Sequence, residues 1–182
     1  MHISVNNLIQ IETEIQSNIE KFDKLKKITK IIAVSKNQSM TSILPLINHG
    51  HLDFGENKIQ EAMDKWIDVK KEKKEIKLHL IGKLQTNKVK FALRIFDYIH
   101  SLDNEKLAMK IADQQLKQNK QPKIFIQVNI GNEDQKSGIN QLKLPKFYQF
   151  CKNLNLDIIG TMCIPPNNEN TENYFSEMNK IN

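Results

Sequence analysis

Five short segments hold the residue types that could do chemistry. Lys36 closes the run Ile31-Ile32-Ala33-Val34-Ser35-Lys36. A neutral lysine amine condenses with an aldehyde to a Schiff base; the plain alternative is a solvated lysine at a strand end. Phe54-Gly55-Glu56-Asn57 comes second. The Asn57 amide can cap the helix that follows or hydrogen-bond a ligand hydroxyl or imine. Third is His79-Leu80-Ile81-Gly82, leading into Gln85, Asn87 and Lys88. That polar cluster is denser than a plain loop needs, while His79 inside the strand reads as a hydrogen-bonded core residue. Fourth is Gln127-Val128-Asn129-Ile130, followed by Lys136-Ser137-Gly138. Gln127 and Asn129 alternate with apolar residues and share a face, where buried amides need partners. Lys136 reads as a surface lysine or as a second amine. In the fifth, Gly160-Thr161-Met162-Cys163, Met162 reads as core.

Other constellations carry less. His49-Gly50-His51 lacks a third ligand at a sensible spacing, so no metal site is expected. No Ser/His/Asp arrangement is legible. Cys151 and Cys163 form no Cys-x-x-Cys motif and no disulfide scaffold, which points to a reducing cytoplasm.

The elements that must position these residues alternate. Val5, Leu8, Ile11, Ile15, Ile19 and Phe22 predict an amphipathic helix over 5–23. The β-branched run 30–35 predicts a strand. A helix over 40–49 ends at Gly50, a good residue beyond a helix C-terminus; Pro45 within it predicts a late start. Strands are expected at 51–54, 77–81, 98–101, 123–130 and 157–163. Helices are expected from an Asn57 cap, at 86–95, at 103–119 with Leu107, Ile111 and Leu116 inward, and at 144–155. The lysine-rich stretch 70–75 and residues 167–170 read as polar connections, with a further helix opening after 170. Gly55, Gly82 and Gly131 each follow an expected strand, where the backbone turns or approaches a ligand.

Strands alternating with helices imply parallel βαβ units. Either a doubly wound sheet or a (β/α) barrel fits. The first strand ends without a G-x-G-x-x-G or phosphate loop, which favours the barrel. A barrel takes eight strands and about 250 residues; six units are legible in this single 182-residue domain. The formal charge of +6 is a weak pointer to polyanions. Arg94 is the only arginine among 27 basic residues, whereas phosphate and base readers lean on arginine; no specific nucleic-acid partner is expected. No apolar run reaches the ~18 residues of a membrane span.

Taken in order, the five motifs resemble the pyridoxal phosphate homeostasis proteins, single-domain relatives of the alanine racemase N-terminal barrel. They are Ala33-Val34-Ser35-Lys36, Phe54-Gly55-Glu56-Asn57 with Gln60-Glu61, His79-Leu80-Ile81-Gly82-x-Leu84-Gln85-x-Asn87-Lys88, Gln127-Val128-Asn129-Ile130 with Lys136-Ser137-Gly138, and Gly160-Thr161-Met162-Cys163-Ile164-Pro165. The resemblance implies a (β/α)8 barrel of the TIM type that binds pyridoxal 5′-phosphate (PLP) without turnover. Lys36 then carries PLP as a Schiff base, Asn57 and Met162 lie at the cofactor, and His79, Asn87, Asn129 and Lys136 are secondary candidates. Apo PLP-dependent enzymes are the implied recipients; a racemase-like activity is the alternative. The family's later Ser-Met-Gly-Met-Ser and Arg-Ile-Gly segments are not found in residues 1–182. The resemblance therefore implies a chain lacking the last two βα units and much of the phosphate cup, with weakened PLP binding or rescue by oligomerisation.

Overall fold

The computed structural model describes residues 2–22, 29–133, 135–166 and 171–181. The elements run α1 (Ile3–Phe22), β1 (Ala33–Val34), α2 (Met40–Asn48), β2 (Asp53–Glu56), α3 (Ile59–Glu72), β3 (Lys77–Leu80), α4 (Val89–Ile95), β4 (Tyr98–Leu102), α5 (Glu105–Gln118), β5 (Lys123–Gln127), α6 (Leu144–Asn153), β6 (Asp157–Met162) and α7 (Thr171–Ile181). All strand pairs are parallel, and the sheet order β1-β2-β3-β4-β5-β6 is the chain order. Parallel strands in chain order, each joined to the next through a helix, are the arrangement of a (β/α) barrel, of which six strands are described. Residues 167–170, expected as a polar loop, lie outside the described residues.

Strand alternation splits the sheet into two environments. The helix-facing side is apolar except at Glu56: Phe54, Leu78, Leu80, Ile99, Ile124 and Ile126 are essentially inaccessible, with Trp66 of α3 and Leu107 and Ile111 of α5 packed over them. Each such side chain contributes about 1.5–3 kcal/mol by leaving water. The opposite side carries Asp53, His79 and His100.

Several expectations are corrected. The first strand is only two residues long, Ala33–Val34, paired with Phe54 and Gly55, and residues 30–32 lie outside it. β2 continues through Glu56, so Gly55 lies inside it and α3 opens after Lys58, not after an Asn57 cap. Pro45 does not delay α2, which starts at Met40 behind a Ser39 cap and buries Ile43 and Ile47. Gly50 does sit just past that helix, at φ +96°. Leu116 is 82% exposed, not inward. It falls five residues past Ile111, and the buried stripe continues through Ala112 and Gln115 instead. Lys70, expected in a solvated turn, lies on α3 and pairs with Asp97 and the Ile95 carbonyl.

Candidate functional site at the C-terminal rim

In a parallel sheet every strand delivers its C-terminal residue to the same end. Lys36 stands two residues past β1, Asn57 one past β2, Asn129 two past β5, and Met162 ends β6. Asn87 lies in the short 3-10 turn Thr86–Lys88 after β3 and is exposed. Gln127 pairs with Met162 in the ladder, and the Val128 N–H donates to the Met162 carbonyl at 2.8 Å. Six of the seven residues singled out by sequence thus sit at one rim, Lys136 reaching it from the loop beyond β5.

Within the rim they differ. The Lys36 side chain is exposed and makes no hydrogen bond or ion pair among the described residues. Lys136 is held: its Nζ lies 2.7 Å from Glu133 Oε1 and donates to the Pro165 carbonyl at 3.4 Å. Asn57 lines a groove of about 490 Å3 with Met63, Gln85, Lys88 and Phe91; Lys36 stands outside that groove. The Asn57 backbone is clamped against Gly82, where a Cβ would lie 2.3 Å from the Asn57 carbonyl oxygen. Gly82 is therefore a site of close backbone approach.

Asn129 and Gln127 act on the loop beyond β5. Asn129 Nδ2 donates to the Glu133 carbonyl (2.8 Å) and its Oδ1 accepts from the Glu133 N–H (3.2 Å). Gln127 Nε2 donates to the Ser137 carbonyl (3.3 Å). Gly138, at φ +117°, folds the returning segment so closely that a Cβ would meet the Asn129 nitrogen at 2.6 Å. The fourth motif is a braced turn that brings Lys136 back beside β6.

His79 is away from the rim, in the body of β3 and level with Gly55 and Tyr98. Its Nε2 meets Asp53 Oδ1 at 3.0 Å and its Nδ1 meets His100 Nε2 at 2.9 Å. The network assigns the protons: Asp53 accepts the Nε2–H of His79, leaving Nδ1 to accept the Nε2–H of His100. His79 stacks on Tyr98 at 4.2 Å and His100 on Phe125 at 4.4 Å. Burial lowers both imidazoles; the Asp53 hydrogen bond and charge offset this at His79. His100 has no carboxylate to offset its burial and, with the His79 charge acting in the same direction, falls to about 4. This is the hydrogen-bonded core histidine that the sequence suggests, with a second histidine it did not single out.

The sequence reading also missed a buried cluster on the helix side of β2. Glu56 is fully buried, and its Oε1 accepts from Ser35 Oγ (2.7 Å), Lys65 Nζ (2.9 Å) and Trp66 Nε1 (2.9 Å). Lys65 Nζ also donates to Glu61 Oε1 (3.0 Å) and to the Ser35 carbonyl (2.8 Å). A signal was available: alternation puts Glu56 on the face of Phe54, and Glu61 and Lys65 form an i,i+4 pair on the next helix.

Comparison with known proteins gives a consistent set of matches. The model of the alanine racemase N-terminal domain matches residues 12–181. A pyridoxal phosphate homeostasis protein of Aquifex aeolicus is 32% identical over 178 residues, covering 96% of this chain and 77% of the relative. One from Buchnera aphidicola is 38% identical over 167 residues, covering 90% and 71%. The structure of PipY from Synechococcus elongatus with PLP bound superposes with a TM-score of 0.72 at 27% identity, covering 91% of this chain and 78% of that one. Its PLP-free form gives 0.80. Among the described residues no helix is long and apolar enough to cross a membrane.

Proposed function

This chain belongs to the alanine racemase N-terminal domain family and, within it, to the pyridoxal phosphate homeostasis proteins; from that premise we propose that it binds PLP through Lys36 and serves intracellular PLP homeostasis without turnover. The observation that carries the reading is Lys36 itself. Its amine follows the first strand at the rim, exposed and with no carboxylate partner among the described residues. An unpaired amine on an open rim suits an aldehyde, which PLP supplies. The name of the PLP-bound PipY structure supports the same ligand class. Asn57 and Met162 are the further proposed cofactor positions, with His79, Asn87, Asn129 and Lys136 as secondary ones.

The non-catalytic part rests on the relatives, which are named as homeostasis proteins. Lys36 is itself the base that a racemase-like activity would use. Apo PLP-dependent enzymes are the proposed recipients, and a reducing cytoplasm the proposed compartment, in keeping with two free cysteines.

The test is spectroscopic. Protein incubated with PLP should show the visible band of an imine, and borohydride should erase the band and fix the cofactor mass on the Lys36 peptide. Lys36→Ala should show neither. A featureless wild-type spectrum would refute the reading, and inversion of alanine above the Lys36→Ala blank would restore the racemase-like alternative.

A further inference from the structure

We propose that Glu56, Lys65 and Glu61 form a positioning cluster for Lys36, fixing the backbone on both sides of it so that its side chain alone is left free. The proposal deepens the reading of Lys36 as the PLP-binding amine and rests on it.

The sheet cannot supply this constraint. The β1 ladder ends at Val34, and the last backbone bond from this segment to β2 is Ser35 N–H to the Gly55 carbonyl at 2.9 Å. Beyond it, side chains of β2 and α3 take over. Before Lys36, the Ser35 hydroxyl donates to Glu56 Oε1 and the Ser35 carbonyl accepts from Lys65 Nζ. After Lys36, the Asn37 N–H donates to Glu61 Oε1 at 2.5 Å. Asn37 is in the left-handed region at φ +59°, which asparagine tolerates, within a turn closed by the Gln38 N–H on the Ser35 carbonyl (3.1 Å). Lys65 joins the two halves, bonding Glu56, Glu61 and Ser35 from one ammonium group. The Lys65 hydrogen bond, followed by the Asn37 amide, holds the Glu61 carboxyl below its usual range.

Stability alone does not explain the arrangement. A buried ion pair is often matched or bettered by apolar residues of the same volume, because desolvation offsets the Coulomb gain. Glu56 has no exposure and Lys65 side-chain exposure is 10%. Yet apart from the Trp66 bond, the partners of the cluster outside itself are Ser35 and Asn37, the two neighbours of Lys36. Its geometry therefore points to aim rather than to cohesion.

The test compares wild type with Lys65→Met, Glu61→Ala and Lys36→Ala, using PLP as the probe and a thermal melt as the folding control. Lys65→Met strands Glu56 and can fail to fold. Glu61→Ala removes only a partly exposed carboxylate and keeps the test decisive. The expected result is an apparent Kd for PLP raised about tenfold or more in the folded variants, since ångström-scale misplacement of a reacting group costs up to about a hundredfold. The band should also be stripped faster by hydroxylamine, with the melting temperature of Glu61→Ala near wild type. Wild-type Kd and stripping rate in Glu61→Ala, with Lys36→Ala still colourless, would overturn the positioning role and leave the PLP reading intact. A colourless wild type would overturn both.

Discussion

Acidification should destabilise this protein through His100 well before its ordinary carboxylates titrate. Its folded value lies at about 4 against about 6.5 for an unperturbed imidazole. The folded chain thus binds this proton more weakly than the unfolded one, and stability falls as pH drops from about 6.5 to about 4. Above that window both states are neutral and nothing is lost. At about pH 4.5 the unfolded imidazole is almost fully protonated, the folded one about a quarter so; the ratio of proton-binding terms is about 80, or about 2.5 kcal/mol. The lowered His79 acts in the same direction. The assay is urea unfolding at stepped pH, read by the fluorescence of Trp66, the single tryptophan, which is fully buried. His100→Gln removes the titration and retains an N–H donor for His79. Near pH 5 the wild-type stability curve should be steeper than that of His100→Gln by up to about 1.4 kcal/mol per pH unit, the value of one proton. Parallel curves between about pH 6.5 and 4.5 would refute the assignment, whatever offset separates them at neutral pH.

Two further outcomes follow from contacts at the rim and in α6. Gly82→Ala would place a Cβ 2.3 Å from the Asn57 carbonyl oxygen and 2.8 Å from its Cα; the clash should cost about 1–3 kcal/mol in a denaturant melt, and an unchanged midpoint would show that the β2 and β3 ends are not in close contact. Burial, helped by the Glu105 charge, pushes the Cys151 thiol up to about 12, and the half-buried Cys163 is raised by burial as well. In the native protein at neutral pH, Cys151 should resist a thiol reagent until denaturant is added while Cys163 reacts slowly; prompt labelling of both would contradict the packing of α6.

The fold was legible where periodicity and punctuation agree. Six strands, the helices between them and Gly50 beyond α2 follow from short β-branched runs separated by amphipathic stretches. What was illegible depends on partners distant in sequence. Residues 30–32 have the composition of a strand, but the ladder to β2 begins at the Ala33–Phe54 pair and leaves them out. Leu116 is apolar yet off the stripe, and Gln115 is polar yet buried because it donates to the Asn155 carbonyl at 3.1 Å, forty residues away. At the site, the parallel arrangement brings Lys36, Asn57, Asn129 and Met162 to one end once the barrel is inferred. The histidine ladder needed the β2-β3-β4 register, and the Glu56 cluster needed α3 folded back onto β1.

That register carries more weight than the short β1 suggests. On β2, Asp53 faces the histidines while Phe54 and Glu56 face α3, and the same strand is the ladder partner of β1 among the described residues. A one-residue slip would exchange the two faces. It would put Gly55 where Glu56 now meets Ser35, Lys65 and Trp66, and would withdraw Asp53 from His79. Four consecutive pairs between β2 and β3, from Asp53–Lys77 to Glu56–Leu80, hold the register against this. The rim amine is therefore placed by strands it does not belong to. β3 fixes β2, β2 presents Glu56 to α3, and α3 returns Lys65 and Glu61 to the two residues that flank Lys36.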